Sequence, residues 1–385
     1  MKTTNLDLDS SETKGKKIIL FIFGTRPEII KLFILYRELQ KSEEFIPMLI
    51  NTEQQSISND ILNYLDLKVH VNADLIPGRT SDLIQFLSHL LNNLNVKFNE
   101  KTAITKNDIK GIIVQGDTAS AYCGALWGFL NEIPVFHVEA GLRTYDQRNP
   151  FPEEFYRESI ARTSSLNFCP SIISYNNLVK EGINKEKNFI VGNTINDAMI
   201  ALLNENKIKS SEYENIILST LHRRENWSNV SEYAKILHDI LVNNKTDKKI
   251  LHLLHPNPEI RKSFYSSLNN KIPDDLIITE PVNDYFNMLG LVRDSHLILS
   301  DSGGLQEESL FFNIPCGVMR KVTERPEVLD KNAKLLPFEY DKVVDFLEYS
   351  KGYRETNTSE FDYTYGNGKS SEQIYDILKS FYNIY

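Results

Sequence analysis

Three segments decide the fold prediction for this sequence: V-Q-G-D-T-A-S (residues 114–120), H-V-E-A-G-L-R-T (137–144) and N-P-F-P-E-E-F-Y-R (149–157). The first two continue apolar runs, at 112–114 and 134–138, of the kind that forms buried parallel strands. Each run stops near a small residue and an acid, and a helical pattern follows. Open α/β sheets bind ligands at the carboxyl ends of their strands. We therefore expect a parallel sheet with a functional site at these strand ends.

Four carboxylates lie in or beside the loops of these segments: Asp117, Glu139, Glu153 and Glu154. A single acid in such a place often caps the following helix, and this alternative stands for each acid taken alone. Together, Asp117, Glu139 and Glu153 indicate a functional site, because helix capping alone does not account for all three acids.

Length and charge limit the classes of function. A chain of 385 residues is too long for one ordinary core, so two domains of roughly 170 to 190 residues are expected. The composition, 41% hydrophobic and 25% charged, is typical of a globular protein. A formal net charge of −9 offers no basic field to nucleic acid or to an anionic membrane. An anionic ligand must therefore be held by a local cluster of Arg, Lys and backbone N–H groups.

The sequence contains neither a targeting signal nor a metal motif. Residues 1–16 are polar and lack the apolar core of a signal peptide, and no apolar run approaches the ~18 residues that span a bilayer. We expect a cytoplasmic protein without a membrane partner. Cys123, Cys169 and Cys316 are far apart and each lies in apolar company, which favours buried reduced thiols over disulfides or a metal site. No metal is predicted.

Apolar strand-like runs alternate with helical patterns along the whole chain. This alternation predicts an α/β fold of two Rossmann-like, doubly wound domains that face a cleft. The expected parts are a disordered tail (1–16), an N-terminal domain with the acids (17–204), a linker (205–213), a C-terminal Rossmann-like domain (214–365) and a final helix (366–385) that could pack back on the N-terminal domain.

A first anion site is predicted where the strand K-I-I-L-F-I-F (17–23) runs into G-T-R-P-E (24–28) and a helix over 29–39. Proline suits the first turn of a helix, because the missing N–H costs nothing there. Arg26 precedes this helix and Lys31 follows one turn later. Two cations beside the free N–H groups of a helix start favour a phosphate site. Lys31 also fits the alternative of a solvated charge on an amphipathic helix.

A second anion site is predicted after the apolar run at 297–300, where D-S-G-G leads into a helix. Gly303 and Gly304 let backbone N–H groups approach an anion closely, and Ser302 adds a hydroxyl. In the alternative, Ser302 only caps the helix. Glu308 is placed to accept hydrogen bonds from a ribose, as acids do in nucleotide sites. Two more cations, Arg320 and Arg325, follow the next predicted strand.

Two histidines follow predicted strands. His222 stands in T-L-H-R-R-E-N between a strand and two arginines, a poor place for a core residue, and His255 stands in H-P-N-P. Packing in the core is the alternative for both, and it carries more weight for His255, a candidate substrate-binding residue, than for His222. No strand is followed by G-x-G-x-x-G, so a bound nicotinamide is not expected.

Nine ordered segments resemble the signatures of the non-hydrolysing UDP-N-acetylglucosamine 2-epimerases. They are G-T-R-P-E-I-I-K, Q-G-D-T-A-S-A, H-V-E-A-G-L-R-T, P-F-P-E-E, G-N-T-I-N-D-A, H-R-R-E-N, H-P-N-P, D-S-G-G-L-Q-E-E and T-E-R-P-E. The resemblance covers the chain from about Lys17 to the final helix. It implies a glycosyltransferase-B-like fold, a UDP-sugar substrate, a homodimer and no added cofactor.

The resemblance also implies a reaction. The C2 configuration of UDP-N-acetylglucosamine would be inverted through anti elimination of UDP, a 2-acetamidoglucal and re-addition of UDP, in support of surface polysaccharide synthesis. By motif, Asp117, Glu139 and Glu153 would be the acids and bases, and His222 an active-site partner. The diphosphate would be held by Arg26, Lys31, Ser302, Gly303 and Gly304, and the ribose by Glu308.

The sequence departs from this family at three places. Many members carry Q-H-R after the second strand, in an allosteric site for a second UDP-sugar, where this chain has Gln54-Gln55-Ser56. Gln85 and Phe86 stand where a further arginine is expected. Allosteric activation is therefore not expected unless Arg79 substitutes for the missing cation. Tyr156 stands where an asparagine is common, which would alter the sugar pocket.

Other functions remain open at this point. A 2-epimerase acting on another UDP-N-acetylhexosamine would use the same chemistry. A hydrolysing epimerase would release free N-acetylmannosamine and UDP. A glycosyltransferase needs one base and an acceptor groove, and a sugar-nucleotide sensor would not need the acids.

Overall fold

The computed structural model describes residues 15–55, 57, 59–73, 82–102, 104–268, 271–282, 284–329, 331–356 and 361–384. The chain divides into two compact units. Unit 1 comprises residues 1–201 and 365–385, and unit 2 comprises residues 202–364. Of the expected tail, residues 1–14 lie outside the described residues.

Unit 1 contains a seven-stranded sheet in which every pair of neighbours is parallel. Its strands are β1 (Lys17–Phe23), β2 (Phe45–Asn51), β3 (Val71–Asn72), β4 (Ile109–Gln115), β5 (Val135–Val138), β6 (Leu166–Cys169) and β7 (Asn188–Ile190). Its helices are α1 (Arg26–Gln40), α2 (Asn59–Tyr64), α3 (Leu83–Lys101), α4 (Ala119–Leu130), α5 (Glu153–Thr163), α6 (Ile172–Lys180) and α7 (Thr194–Asn204). The strand order is β3-β2-β1-β4-β5-β6-β7.

Unit 2 repeats the design with a six-stranded parallel sheet in the order β10-β9-β8-β11-β12-β13. Its strands are β8 (Ile217–Thr220), β9 (Ile250–Leu253), β10 (Leu276–Thr279), β11 (Leu297–Ser300), β12 (Cys316–Val318) and β13 (Ala333–Leu335). Its helices are α8 (Val230–Val242), α9 (Pro258–Ser267), α10 (Tyr285–Asp294), α11 (Gly303–Phe311), α12 (Pro326–Leu329) and α13 (Tyr340–Thr356). The predicted architecture of two parallel sheets flanked by helices is confirmed.

The two sheets share a topological feature that the sequence did not show. In unit 1 the strand order reverses between β1 and β4, and in unit 2 it reverses between β8 and β11. At such a switch point the connections leave in opposite directions, and a crevice opens at the carboxyl ends of the two strands. The loops that follow β1, β4, β8 and β11 are therefore the places to look for ligand-binding groups.

The strongest sequence signals give the most accurate elements. The run K-I-I-L-F-I-F forms β1 with both faces covered, as expected for the centre of a parallel sheet. The helix predicted over 29–39 extends over Arg26–Gln40, because Pro27 lies in its first turn and Thr25 with Glu28 forms a capping box.

The last helix, α14 (Ser370–Ile384), belongs to unit 1. Asp197 of α7 accepts hydrogen bonds from the backbone N–H groups of Ser370 and Ser371, at 3.1 and 2.6 Å. Tyr382 donates a hydrogen bond to the carbonyl of Lys110 at 2.5 Å. Within the described part of the chain, no helix combines the length and the apolar character that crossing a membrane requires.

Candidate active site

The loops after β1 and β4 are joined by one buried carboxylate at the switch point of unit 1. Glu28 accepts hydrogen bonds from the backbone N–H groups of Gly24 and Thr25, at 3.0 and 2.7 Å, and from Thr118 Oγ1 at 2.7 Å. Burial raises the pKa of Glu28 to about 7, although the hydrogen bonds act to lower it. Glu28 thus ties the Arg26 turn to the loop that carries Asp117. No role was predicted for Glu28, although the position of this residue three places after Thr25 is the signal of a capping box.

Gly24 is required where the chain leaves β1. A Cβ atom on Gly24 would lie 2.0 Å from Thr52 Oγ1 and 2.1 Å from Ser120 Oγ, far inside contact distance. Thr52 and Ser120 are themselves hydrogen-bonded, at 2.6 Å. This close approach brings the half-buried Arg26 to the switch point directly after Thr25.

Glu139 lies directly after β5 and is held by two side chains. Lys31 Nζ and Gln115 Nε2 each lie 2.5 Å from its Oε2 atom. Glu139 and Lys31 are both buried, and Glu139 has a φ angle of +67°, which costs energy in a residue with a side chain. The structure thus brings two predicted site residues together, with Lys31 against an acid rather than on a solvated helix face.

Asp117 is paired with Arg157, for which no role was predicted from the sequence. Arg157 Nε donates to Asp117 Oδ2 at 2.7 Å, and its Nη1 donates to Glu154 Oε2 at 2.6 Å. Glu154 also accepts the backbone N–H groups of Thr144 and Tyr145 at 2.8 Å each. Glu154 therefore fixes a loop and an arginine, and the arginine fixes Asp117. The i to i+3 spacing of Glu154 and Arg157 on a helix was the available signal.

His137 supports the same loop from the interior of β5. Its Nε2–H donates to the carbonyl of Gly116 at 2.8 Å, and Gly116 has a φ of +69° just before Asp117. Burial lowers the pKa of His137 to about 4, so the ring is neutral near pH 7. The hydrogen bond from His137 in β5 therefore fixes the turn that follows β4.

Glu153 is the first residue of α5 and is half-buried. Nearby Tyr156 is buried and stacks on Tyr122, with ring centroids 4.7 Å apart. Burial, with a smaller contribution from charges that include Glu153, raises the pKa of Tyr156 to about 12. Tyr156 is thus part of the core of unit 1, packed beside the start of the helix that carries Glu153.

In unit 2, the loops after β8 and β11 meet at Asp301. His222 contacts this acid, because its Nδ1 atom lies 3.1 Å from Asp301 Oδ1. The sequence predicted a role for His222 but none for Asp301. His255, after β9, accepts the backbone N–H of Asn257 on Nδ1 at 2.9 Å, and its ring lies 5.5 Å from that of Trp227. Desolvation lowers the pKa of His255, and the neighbouring His222 contributes in the same direction.

Ser302 caps α11, which is the alternative given above. Its Oγ atom accepts the backbone N–H of Leu305 at 3.4 Å. Gly303 opens the helix with no room for a side chain, because a Cβ would lie 2.8 Å from Arg325 Nη1 and 3.3 Å from Arg223 Nη2. A Cβ on Gly304 would meet no atom closer than Ser302 Oγ at 4.0 Å. The start of α11 thus combines a cap, two glycines and two guanidinium groups.

The arginines near α11 are paired inside unit 2. Arg325 contacts Glu307 at 2.6 Å and also Glu324, and Arg320 lies 3.0 Å from Glu324. Arg320 and Arg325 are both buried, and burial lowers the pKa of Arg320. Their predicted contact with a ligand remains a prediction.

Glu308, the predicted ribose ligand, is buried on α11. Its Oε1 atom accepts a hydrogen bond from the hydroxyl of Tyr285 at 2.7 Å. The acid is therefore held in one orientation by α10.

The predicted allosteric positions are in the loop after β2 and at the start of α3. Gln54 Oε1 accepts hydrogen bonds from the backbone N–H and Oγ of Ser120, at 2.9 and 2.7 Å, so it is used within the fold. Gln55 and Gln85 are exposed, and Phe86 packs partly against the core. Arg79 lies outside the described residues.

Comparison with known proteins gives consistent results. A family model described as UDP-N-acetylglucosamine 2-epimerase matches residues 37–379. A UDP-N-acetylglucosamine 2-epimerase of Methanococcus maripaludis is 35% identical over 93% of this chain and 97% of its own length.

Two solved structures resemble the whole chain. The UDP-GlcNAc 2-epimerase of Neisseria meningitidis, bound to UDP-GlcNAc, matches with a TM-score of 0.82 and 29% identity over 94% of this chain and all of that one. That of Methanocaldococcus jannaschii, in complex with UDP-GlcNAc and UDP, matches with a TM-score of 0.74 and 31% identity over 94% and 99%.

Proposed function

Because the chain belongs to the UDP-N-acetylglucosamine 2-epimerase family, we propose that it interconverts UDP-N-acetylglucosamine and UDP-N-acetylmannosamine without releasing the sugar. The observation that carries this proposal is the pair of acids at the ends of adjacent strands. Asp117 follows β4 and Glu139 follows β5, and each carboxylate is held by a buried cation, Arg157 or Lys31.

The chemistry explains why several acids are needed. The proton on C2 of the sugar is not acidic, because no carbonyl is adjacent to it. When the C1–O bond breaks, its electron pair leaves with UDP and C1 gains positive character, which acidifies the C2 proton. A base removes this proton and leaves a 2-acetamidoglucal. UDP then adds back to C1 while an acid delivers a proton to C2 from the other face, so groups are required on both faces.

Unit 1 supplies the acids and bases in this proposal. Asp117 and Glu139 are the first two candidates, and Glu153, at the start of α5, is the third. Fixed positions support such a role, because proton transfer depends on a short and well-directed contact. Asp117 is fixed through Arg157, and Glu139 through Lys31 and Gln115.

Unit 2 supplies most of the groups for UDP. The start of α11 offers backbone N–H groups at Gly303 and Gly304 beside the guanidinium group of Arg223, and Glu308 is oriented to accept hydrogen bonds from a ribose. Arg26 is the proposed cation at the switch point of unit 1. Because UDP gains negative charge as it departs, donors placed there lower the barrier as well as tightening binding.

The test is a time course in D₂O, followed by NMR, with UDP-N-acetylglucosamine and no NAD. We expect UDP-N-acetylmannosamine to appear with deuterium at C2. Activity that requires NAD would contradict the proposal. Another UDP-N-acetylhexosamine as the better substrate would leave the mechanism standing and change only the specificity.

The same time course separates the alternatives. A hydrolysing epimerase would accumulate free N-acetylmannosamine and UDP. A glycosyltransferase or a sugar-nucleotide sensor would leave the stereochemistry of C2 unchanged and incorporate no deuterium.

We also propose that the protein acts as a cytoplasmic homodimer that supplies an activated N-acetylmannosamine for surface polysaccharide. The basis of this proposal is the resemblance of the nine segments, which implies a homodimer and surface polysaccharide synthesis. Light scattering during gel filtration tests the dimer, for which we expect twice the mass of one chain.

A further inference from the structure

A single carboxylate organises the loop that carries His222. Asp301 accepts the backbone N–H of His222 at 3.0 Å and of Arg223 at 2.9 Å, and the side-chain amide of Asn226 at 3.0 Å. The Nδ1 atom of His222 lies 3.1 Å from the same carboxylate. Four donors from residues 222–226 thus converge on one side chain, which follows the neighbouring strand β11.

Asp301 is fully buried and remains charged. Burial acts to raise its pKa, but the hydrogen bonds from His222, Asn226 and Arg223 outweigh burial and hold the pKa at about 2. A buried carboxylate that accepts four hydrogen bonds is costly to replace, because its donors, among them the buried amide of Asn226, would lose their common partner.

This arrangement fixes which nitrogen of His222 can act on a ligand. A carboxylate only accepts hydrogen bonds, so the Nδ1 atom that faces it must carry the proton. The side chain of His222 is 45% exposed, whereas Asp301 is inaccessible to solvent. Nε2 is therefore the ring nitrogen left to contact a ligand at the switch point of unit 2.

His255 does not compete for the carboxylate. Its Nδ1 atom accepts the backbone N–H of Asn257, so its proton is on Nε2, opposite to the arrangement in His222. His222 and His255 are thus held in opposite tautomers when both are neutral. The reason is that Asp301 contacts only one of them in the described structure.

We propose that Asp301 is a positioning residue for epimerisation: it holds His222 with Nδ1 protonated and presents Nε2 to the oxygen that carries negative charge when UDP departs. This inference rests on the function proposed above. Asp301 itself touches no substrate and acts through His222.

The first test reads the tautomer of His222 in the wild-type protein and does not depend on activity. Long-range ¹H–¹⁵N spectra of histidine-labelled protein report which ring nitrogen carries the proton, and His222→Gln identifies the signal. We expect protonated Nδ1 in the neutral ring. Protonated Nε2 would overturn the proposal, even if the protein is an active epimerase.

The second test is kinetic. Asp301→Asn should lower kcat roughly 10²-fold, the lower end of what one general acid or base contributes, with a smaller change in KM. In the background of His222→Gln, the same substitution should have little further effect on kcat, because the group through which it acts is gone. Equal effects in both backgrounds would overturn the proposal.

Asp294→Asn is the matched control for stability. Asp294 is also a carboxylate of unit 2 that accepts a backbone N–H, from Ser211 at 2.9 Å, and it is paired with Arg293. We expect Asp294→Asn to retain wild-type kcat at a temperature at which both variants are folded. If Asp301→Asn does not fold, the tautomer measurement still decides. A wild-type protein without epimerase activity would refute the proposed function and leave the tautomer result to be judged by itself.

Discussion

The ion pairs at the two switch points differ in which partner is the more exposed to solvent. In unit 1 the acid is the more exposed partner: the Asp117 side chain is 26% exposed and that of Arg157 is 4% exposed. In unit 2 the cation is the more exposed partner, with Arg223 at 21% and Glu324 at 1%. The buried member of a pair holds the other, and the exposed member is available to a ligand. The same topology thus presents Asp117 in unit 1 and Arg223 in unit 2, which suits proton transfer at the first and anion binding at the second.

The acids of unit 1 offer the most direct way to break this comparison. Asp117→Asn and Glu139→Gln should each lower turnover by ~10²- to 10⁴-fold, the usual contribution of general acid–base catalysis, while UDP still binds. Turnover is measured from the NMR time course and UDP affinity by calorimetry. Glu100→Gln, an exposed acid on α3, is the control and should retain full activity. Wild-type turnover in either site variant would remove that residue from the mechanism.

Lys31 has two candidate roles, binding the diphosphate and pairing with Glu139. The sequence predicts a diphosphate ligand, whereas the structure places its Nζ 2.5 Å from Glu139. If the pairing is its main role, Lys31→Met should lower turnover by about 10-fold or more and change UDP affinity little, because Glu139 would be buried without its cation. Lys41→Met, just after the same helix and well exposed, controls for lost charge. A large loss of UDP affinity with unaltered turnover at saturation would instead favour the diphosphate role.

Sequence reasoning succeeded where one local signal was sufficient. The strand 17–23 was predicted with its exact bounds, because a buried parallel strand is a continuous apolar run. The resemblance to the 2-epimerase family is confirmed by the family model and by relatives along nearly the whole chain.

What the sequence did not show depends on contacts between distant residues. The strand order, and with it the switch points, arises from pairing across the sheet. Arg157 and Asp117 are 40 residues apart, and His222 and Asp301 are 79 residues apart. No periodicity or spacing in one sequence reports such pairs. For the same reason Glu28 and Asp301, which orient other site residues, went unassigned although their immediate neighbours were singled out.

The start of α11 sharpens the other side of the comparison. Ser302→Ala and Arg26→Ala should each weaken UDP binding by about 10-fold, since the net contribution of a hydrogen bond to a charged group is roughly 1.5–3 kcal/mol and about 1.4 kcal/mol is a factor of ten. Calorimetry measures the effect. Ser171→Ala is matched to Ser302→Ala, because Ser171 caps α6 in unit 1 with the same contact. Both serine variants should lose a similar stability, about 1 kcal/mol, but only Ser302→Ala should lose affinity. Equal affinities would leave Ser302 with a cap role alone.

The smallest expected effect concerns regulation and a third set of loops, those near β2 and α3. A second UDP-sugar bound there would need a cation for its diphosphate, because the net charge of −9 provides no attraction at a distance. Gln54 is already bonded to Ser120, and Gln55 and Gln85 carry no charge. We therefore expect rates that depend hyperbolically on UDP-N-acetylglucosamine, and a reverse reaction from UDP-N-acetylmannosamine that starts without delay. A lag that a trace of UDP-N-acetylglucosamine abolishes would contradict this expectation. Arg79→Ala would then test whether that residue supplies the charge. If UDP-N-acetylglucosamine no longer abolishes the lag in this variant, Arg79 belongs to the site. If it still does, another residue supplies the cation.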